Sequence, residues 1–245
     1  MGHASPRGVI GTLKRLVENQ EQKVTVALVD TLAEHEMLEN LLEDSKPDPR
    51  VDAAFQKRLR QLDYLLQTPW RYPPLKWGSR FGRRFEPSLF YGALSDRALF
   101  AEAAYYRLLF LEGMQAPFAD RVISQFTVFE ASYQTDFGMD LSKPPFLKHA
   151  AVLRHKADYL PCQLLGTELR ERGIEAIVYL SARAAGDELN VALLSPLALR
   201  SRKHRNPRHG LCEIRPDAVS FRLGDELHVL KREAFLFEGR LPVPA

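Results

Sequence analysis

The chain has 245 residues, of which 45% are hydrophobic and 27% charged, enough length for a full core and too much polarity for a bilayer resident. One core stops growing at roughly 250–300 residues, so one large domain fits, alone or with a smaller appendage. A net charge of +3, from 34 basic and 31 acidic side chains, is too small an excess to mark the whole molecule as a nucleic-acid binder.

The charge is unevenly spread. Glu34, Glu36, Glu39, Glu43, Asp44 and Asp48 make one stretch acidic, and Arg200, Arg202, Lys203, Arg205 and Arg208 make a late loop basic. Both patterns fit ordinary solvated faces, and the basic run fits equally a docking patch for an acidic surface. Cys162 and Cys212 lie fifty residues apart without a CxxC spacing, which suggests neither a disulfide framework nor a thiolate zinc site. The absence of a leading apolar run, or of about 18 consecutive apolar residues, gives the expectation of a cytoplasmic protein with no membrane association.

Residues 12–44 carry apolar positions at helical spacing, notably Leu32, Leu38, Leu41 and Leu42, and close at the SKPDP stretch, whose prolines end a helix. A second helix is predicted over 51–66, through Phe55, Leu59, Leu62 and Leu66. Residues 1–66 are therefore expected to form an N-terminal helical appendage. The TPWRYPP stretch, with three prolines, predicts an extended path into a main domain over 67–245.

From Trp70 onward the pattern turns to short β-type runs around two long helical stretches. Leu89, Phe90 and Tyr91 predict a short strand, and Ser95 offers an N-cap to a helix reaching about Leu111. A further strand is predicted over 126–129. Residues 149–172 read as the second helical stretch, with Pro161 predicting a kink or break and Gly173 the stop. Short strands follow over 174–180, 191–194, 219–223, 227–230 and 235–237. Strands and helices mix without regular βαβ alternation, which predicts an α+β fold with a mixed sheet and flanking helices.

Several familiar sites are missing. There is no GxGxxG after a strand, no GxxxxGK[ST], no HExxH and no GxSxG, so hydride transfer, P-loop hydrolysis and zinc proteolysis lose support. The seven histidines are scattered. The informative window runs from Gly78, Ser79, Arg80, Phe81 and Gly82 through the LFYGA stretch at Tyr91 to Glu102. On the helix after Ser95, Glu102 shares a face with Ala98, Leu99, Tyr105, Tyr106 and Leu109, so a carboxylate stands in an otherwise apolar stripe. A buried carboxylate needs a cationic or hydrogen-bonding partner, or else it lines a cleft. A Glu–Arg pair that fixes the fold answers the same pattern, Tyr91 answers as a core aromatic, and Arg80 answers as a salt-bridged surface group.

Taken together, these fragments resemble the RES domain, a family named for its Arg, Glu and Ser and found as toxins of bacterial toxin–antitoxin pairs. The Gly-x-Arg turn at Arg80 is followed after eleven residues by Tyr91 and after eleven more by Glu102. The IEAIVYLSAR stretch then looks like the family's strand carrying Ser181, and the stretch from Asn190 to Pro196 like the strand that closes the site. Ser79 and Gly82 depart from the family's usual turn, and Arg71 takes the place of an arginine on a first strand.

The resemblance implies an ADP-ribosyltransferase-like fold and NAD+ as substrate, cleaved at the nicotinamide–ribose bond. Positive charge then builds on the sugar, and Glu102 is implied as the carboxylate that stabilises it or holds a ribose hydroxyl. Arg80 offers a planar fork for the pyrophosphate, assisted by Arg71. Tyr91 is implied to stack on a ring of the dinucleotide, Ser181 to hold the ribose or Glu102, and Asn190 to join the NAD+ contacts. Arg183 is available to capture phosphate. No metal is implied, because nicotinamide is already a good leaving group. Water, phosphate or a protein side chain as acceptor would make the chain a glycohydrolase, a phosphorylase or an ADP-ribosyltransferase. The implied partner is a helix-turn-helix antitoxin of the Xre type, through which nucleic acid is met only indirectly, and a homo-oligomer is allowed. The alternative is a non-enzymatic interaction module with a decayed pocket, which binds nucleic acid or a partner protein through its basic loop and ignores changes at Glu102.

Overall fold

The computed structural model describes residues 5–18, 52–71, 76–114 and 121–243. Among them are eight strands in one mixed sheet and five helices. The strands are β1 (Arg7–Glu18), β2 (Phe90–Ala93), β3 (Val122–Asp140), β4 (Ala176–Leu180), β5 (Leu189–Leu193), β6 (Arg205–Ile214), β7 (Ala218–Leu223) and β8 (Glu226–Lys231). The helices are α1 (Ala53–Leu59), α2 (Tyr64–Arg71), α3 (Asp96–Glu112), the single turn α4 (Ala150–Leu153) and α5 (Leu160–Glu171).

The sheet order is β1-β2-β5-β4-β3-β6-β7-β8, and β1 also pairs with β3. The first five strands therefore close a ring of hydrogen-bonded neighbours, and β6, β7 and β8 extend from the free edge of β3. The length of β3 makes this possible: residues from Phe126 to Gly138 pair with β1, while its other edge serves β6 early and β4 late. Only the β3–β4 pairing is parallel; the rest are antiparallel. The mixture matches the expected α+β class.

Three cores follow from the alternation of side chains across the strands. One face of the ring strands contributes Leu13, Phe90, Phe129, Tyr133, Val178 and Val191, and α1 and α2 add Phe55, Leu59, Leu66 and Trp70 to it. The opposite face of β4 and β5 packs Ile177, Tyr179 and Ala192 against Phe81 and the α5 residues Cys162, Leu165 and Leu169. The third core lies between α3 and β6–β8, with Phe100, Tyr105, Phe126 and Phe221 at its centre.

Several expectations need correction. The helix predicted from residue 12 begins instead inside β1, because residues 12–18 complete a twelve-residue strand that pairs with β3; the rest of that prediction, and the acidic stretch, lie outside the described residues. The predicted 51–66 helix is two helices, broken where Asp63 accepts the backbone N–H of Leu66 at 3.0 Å. The extended path predicted at TPWRYPP is helical as far as Arg71, since Leu66 and Trp70 are buried in the first core; residues 72–75 are outside the described set. Arg71 therefore ends a helix and does not stand on a strand.

The 149–172 stretch is interrupted over 154–159, and Pro161 opens α5, where its missing N–H is harmless. Residues 235–237 do not form a strand: a 3-10 turn covers Arg232–Phe235, and Phe237 makes one bridge with Arg240. The basic loop is partly a strand, with Arg205 opposite Glu130 and Arg208 opposite Val128. Pro207 hid it, and the ladder accommodates it with a register shift at which Asn206 takes a φ of 50°. No described helix is long and apolar enough to cross a membrane.

Candidate active site

Glu102 is delivered by α3, whose start is set by Ser95. The Ser95 hydroxyl accepts the Ala98 N–H at 3.1 Å and donates to Glu188, so the cap also ties the helix to the loop after β4. Three residues beyond Glu102, Tyr105 lies on the same helix face and is fully buried.

The partners of Glu102 come from the sheet. Alternation puts Tyr179 on the α5 side of β4, and continuing the same period carries Ser181 to that side just past the strand end. Asn190 sits opposite Tyr179 in the β4–β5 register and shares its face with Ala192. Ser181 Oγ donates to Glu102 Oε1 at 2.7 Å, and Asn190 Nδ2 donates to the same oxygen at 2.8 Å. Ser181 is wholly buried and Asn190 is 2% exposed, so both donors are fixed by packing. Ser181 Oγ also accepts the N–H groups of Arg183 and Ala184, at 3.2 and 3.1 Å. Arg154 clamps the loop from outside, donating to the carbonyls of Ser181 and Gly186 at 3.0 and 2.7 Å.

Arg80 enters from a turn that needs two glycines. Gly78 has a φ of +75°, which only glycine adopts without strain, and Ser79 and Gly82 close a small bridge. The Tyr91 hydroxyl fastens this turn to β2, donating to Ser79 Oγ at 2.9 Å and accepting the Phe81 N–H at 3.0 Å. Burial pushes the Tyr91 phenol up to about 12, so it acts as a neutral donor. The Arg80 guanidinium donates to the carbonyls of Leu153 and His155 at 3.1 and 3.2 Å and lies over the Tyr159 ring, 4.3 Å from its centroid. Burial works against its charge, but Tyr159, Cys162, Glu102 and Tyr179 outweigh it and push the guanidinium above its ordinary value.

Arg183 completes the arrangement. Its guanidinium rests on the Tyr105 ring at 3.4 Å and donates through Nη2 to the Lys156 carbonyl at 2.8 Å and to Tyr159 Oη at 3.0 Å. Two buried polar atoms here are left without partners: Arg183 Nη1, a donor, and Asn190 Oδ1, an acceptor. They lie beside Tyr159 and Glu102, where a polar ligand or water would satisfy them, although other such atoms occur elsewhere among the described residues.

The structure thus gathers Glu102, Ser181, Asn190, Arg80, Tyr91 and Arg183 from five chain segments, Ser181 and Arg183 sharing the loop after β4. Tyr91 enters by its hydroxyl, which positions the Arg80 turn. Arg71 stands apart from this set: it follows Trp70, whose ring is 5.3 Å from that of Phe90, and Phe90 faces the first core while its neighbour Tyr91 faces the site. Tyr159 and Arg154 carry no periodic or motif signal apart from their partners and were missed, whereas Tyr105 shows in the sequence only as part of the apolar stripe around Glu102. A cleft of about 700 Å³ opens elsewhere, lined by Arg7, Tyr133, Asp140, Lys143 and Phe146 among others, and includes none of the site residues.

Compared with known families, residues 56–214 match the model described as the RES domain. No curated protein matches the chain.

Proposed function

We propose, because this chain belongs to the RES-domain family, that it consumes NAD+ by breaking the bond between nicotinamide and ribose. The family is associated with NAD-related toxin activity, and its members use NAD in enzymatic reactions. The observation that carries the proposal is the carboxylate of Glu102, held at one oxygen by both Ser181 and Asn190. A pinned carboxylate needs no reorganisation as charge develops beside it, and this is where electrostatic catalysis gains most.

As the C–N bond breaks, its electron pair stays with the ring nitrogen, the pyridinium becomes neutral nicotinamide, and positive charge passes to the ribose. Glu102 stabilises that charge. Water then adds to the sugar carbon and loses a proton to solvent, giving ADP-ribose; phosphate in place of water gives its 1″-phosphate ester. Arg80 and Arg183 hold the diphosphate without Arg71, which lies on the first-core side, and Asn190 Oδ1 accepts a ribose hydroxyl. Tyr91 keeps the Arg80 turn in place. A co-encoded helix-turn-helix protein that covers the site is the proposed partner.

The basic run gives the non-enzymatic alternative less support than it had from sequence. Arg208 lies 3.5 Å from Asp96, so part of that charge is already answered within the chain. The test is loss of NAD+ on incubation with purified protein, with and without phosphate, for wild type and Glu102→Gln. Wild type is expected to consume NAD+, and the variant to lose at least about a hundredfold in kcat with an unchanged unfolding midpoint. Phosphate dependence identifies the acceptor. Equal rates in the two proteins remove Glu102 from the chemistry.

A further inference from the structure

Two guanidiniums, each more than nine-tenths buried, meet at one tyrosine. Arg80 is 7% exposed and Arg183 is 6% exposed, and Tyr159, at 2%, touches both. Its ring face carries Arg80 at 4.3 Å and its hydroxyl oxygen accepts from Arg183 at 3.0 Å. Like charges near each other in a low-dielectric interior repel, and although Glu102 favours the charge on Arg80, none of the hydrogen-bond partners named for the two guanidiniums is a carboxylate. Their observed partners are carbonyls, a phenol and aromatic faces, all of which leave the positive charge in place.

We infer that Tyr159 is a positioning residue that locks Arg80 and Arg183 into a single receptor for a diphosphate. Three observations converge. The ring supplies the electron-rich surface that lets Arg80 stay charged while buried. The hydroxyl, by accepting from Arg183 Nη2, directs that guanidinium's fork and leaves Nη1 as the unpartnered donor. Having accepted one hydrogen bond, the phenol still has its own O–H to donate, so it adds a third donor between the two cations. A diphosphate, with two adjacent anionic groups, matches two forks held by one rigid ring better than a single carboxylate does. Tyr159 sits in the break between α4 and α5, and that interruption is what brings it under Arg80.

This inference rests on the NAD+ reading of the site, so the experiment separates the two. Binding of ADP-ribose is measured by calorimetry for wild type, Tyr159→Phe and Tyr159→Leu, alongside KM and kcat for NAD+ and the unfolding midpoint of each protein. Phenylalanine keeps the surface under Arg80 and loses only the bond to Arg183, so affinity is expected to fall about tenfold. Leucine loses both and is expected to cost about a hundredfold. KM should rise in the same order while kcat stays within about threefold, a split that general loosening of the fold would not produce. Wild-type affinity in Tyr159→Phe, or failure of wild type to bind ADP-ribose, overturns the receptor. If ADP-ribose binding falls in the expected order but wild type consumes no NAD+, the receptor stands and the proposed reaction falls. Tyr159→Phe carries the test if the leucine variant does not fold.

Discussion

Glu102 could be picked out of the sequence because a carboxylate on an apolar helical stripe is costly and asks for a reason. What answers it could not be read, since Ser181 and Asn190 lie 79 and 88 residues away. Their convergence on one oxygen yields a prediction. Ser181→Ala and Asn190→Ala should each lower kcat about tenfold, and the double variant should lose less than the product of the two, because either single change already lets the carboxylate swing. A double-mutant cycle on kcat checks this; strict multiplicativity would mean that the two donors act on different things. Tyr91 shows the opposite lesson. The resemblance implies a role for its ring, and the fold adds one for its hydroxyl, which is engaged with Ser79 and Phe81.

At the scale of elements, α5 and the Arg80 turn are in direct contact through a glycine. A Cβ on Gly166 would stand 2.1 Å from the Phe81 carbonyl oxygen, and backbone cannot step aside as a flexible side chain can. Gly166→Ala is therefore expected to shift the turn, raising KM for NAD+ and costing about 1–3 kcal/mol in stability by denaturant titration. An unchanged midpoint would show that the helix can withdraw without cost. The start of α3 behaves differently. Ser95 was legible as a cap from its position before an apolar run, and Ser95→Ala should cost about 1 kcal/mol, with a further loss of kcat because the tie to Glu188 and its loop goes with it. Helix ends announce themselves locally; strand identity does not. The first part of β6, within the basic 200–208 stretch, reads as a loop because Pro207 and its basic neighbours disfavour a strand in isolation, and only pairing with β3 overrides that preference.

For the molecule as a whole, closure of the ring by β1 and β3 places Leu13 at full burial among residues from four other strands. Leu13→Ala is expected to cost about 2–5 kcal/mol, measured by denaturant titration, because a closed ring collapses poorly around a cavity. The buried phenols set a limit at high pH. Burial pushes Tyr91, Tyr105 and Tyr133 each up to about 12 from an ordinary value of 10. A group raised in the folded state contributes fully below its unfolded value and loses that contribution as pH climbs to the folded one. Stability should thus be level with respect to these groups below pH 10 and fall between 10 and about 12. Thermal unfolding across that range, with tyrosinate absorbance followed in parallel, tests it; ionisation of these three phenols at the ordinary value would refute the burial account.

Read alone, the sequence determined the α+β class, the helix from Ser95, the β-rich second half, and the family through the spacing of Arg80, Tyr91, Glu102 and Ser181. These are matters of short-range periodicity, capping and motif, which neighbouring residues decide among themselves. Tertiary structure decided that residues 7–18 are a strand, that the ring closes, that Asn190 shares an oxygen of Glu102 with Ser181, and that Tyr159 joins two arginines. Each of these depends on a partner tens of residues away. A residue such as Tyr159, with no pattern of its own, acquires its meaning only when the fold brings that partner within hydrogen-bonding distance.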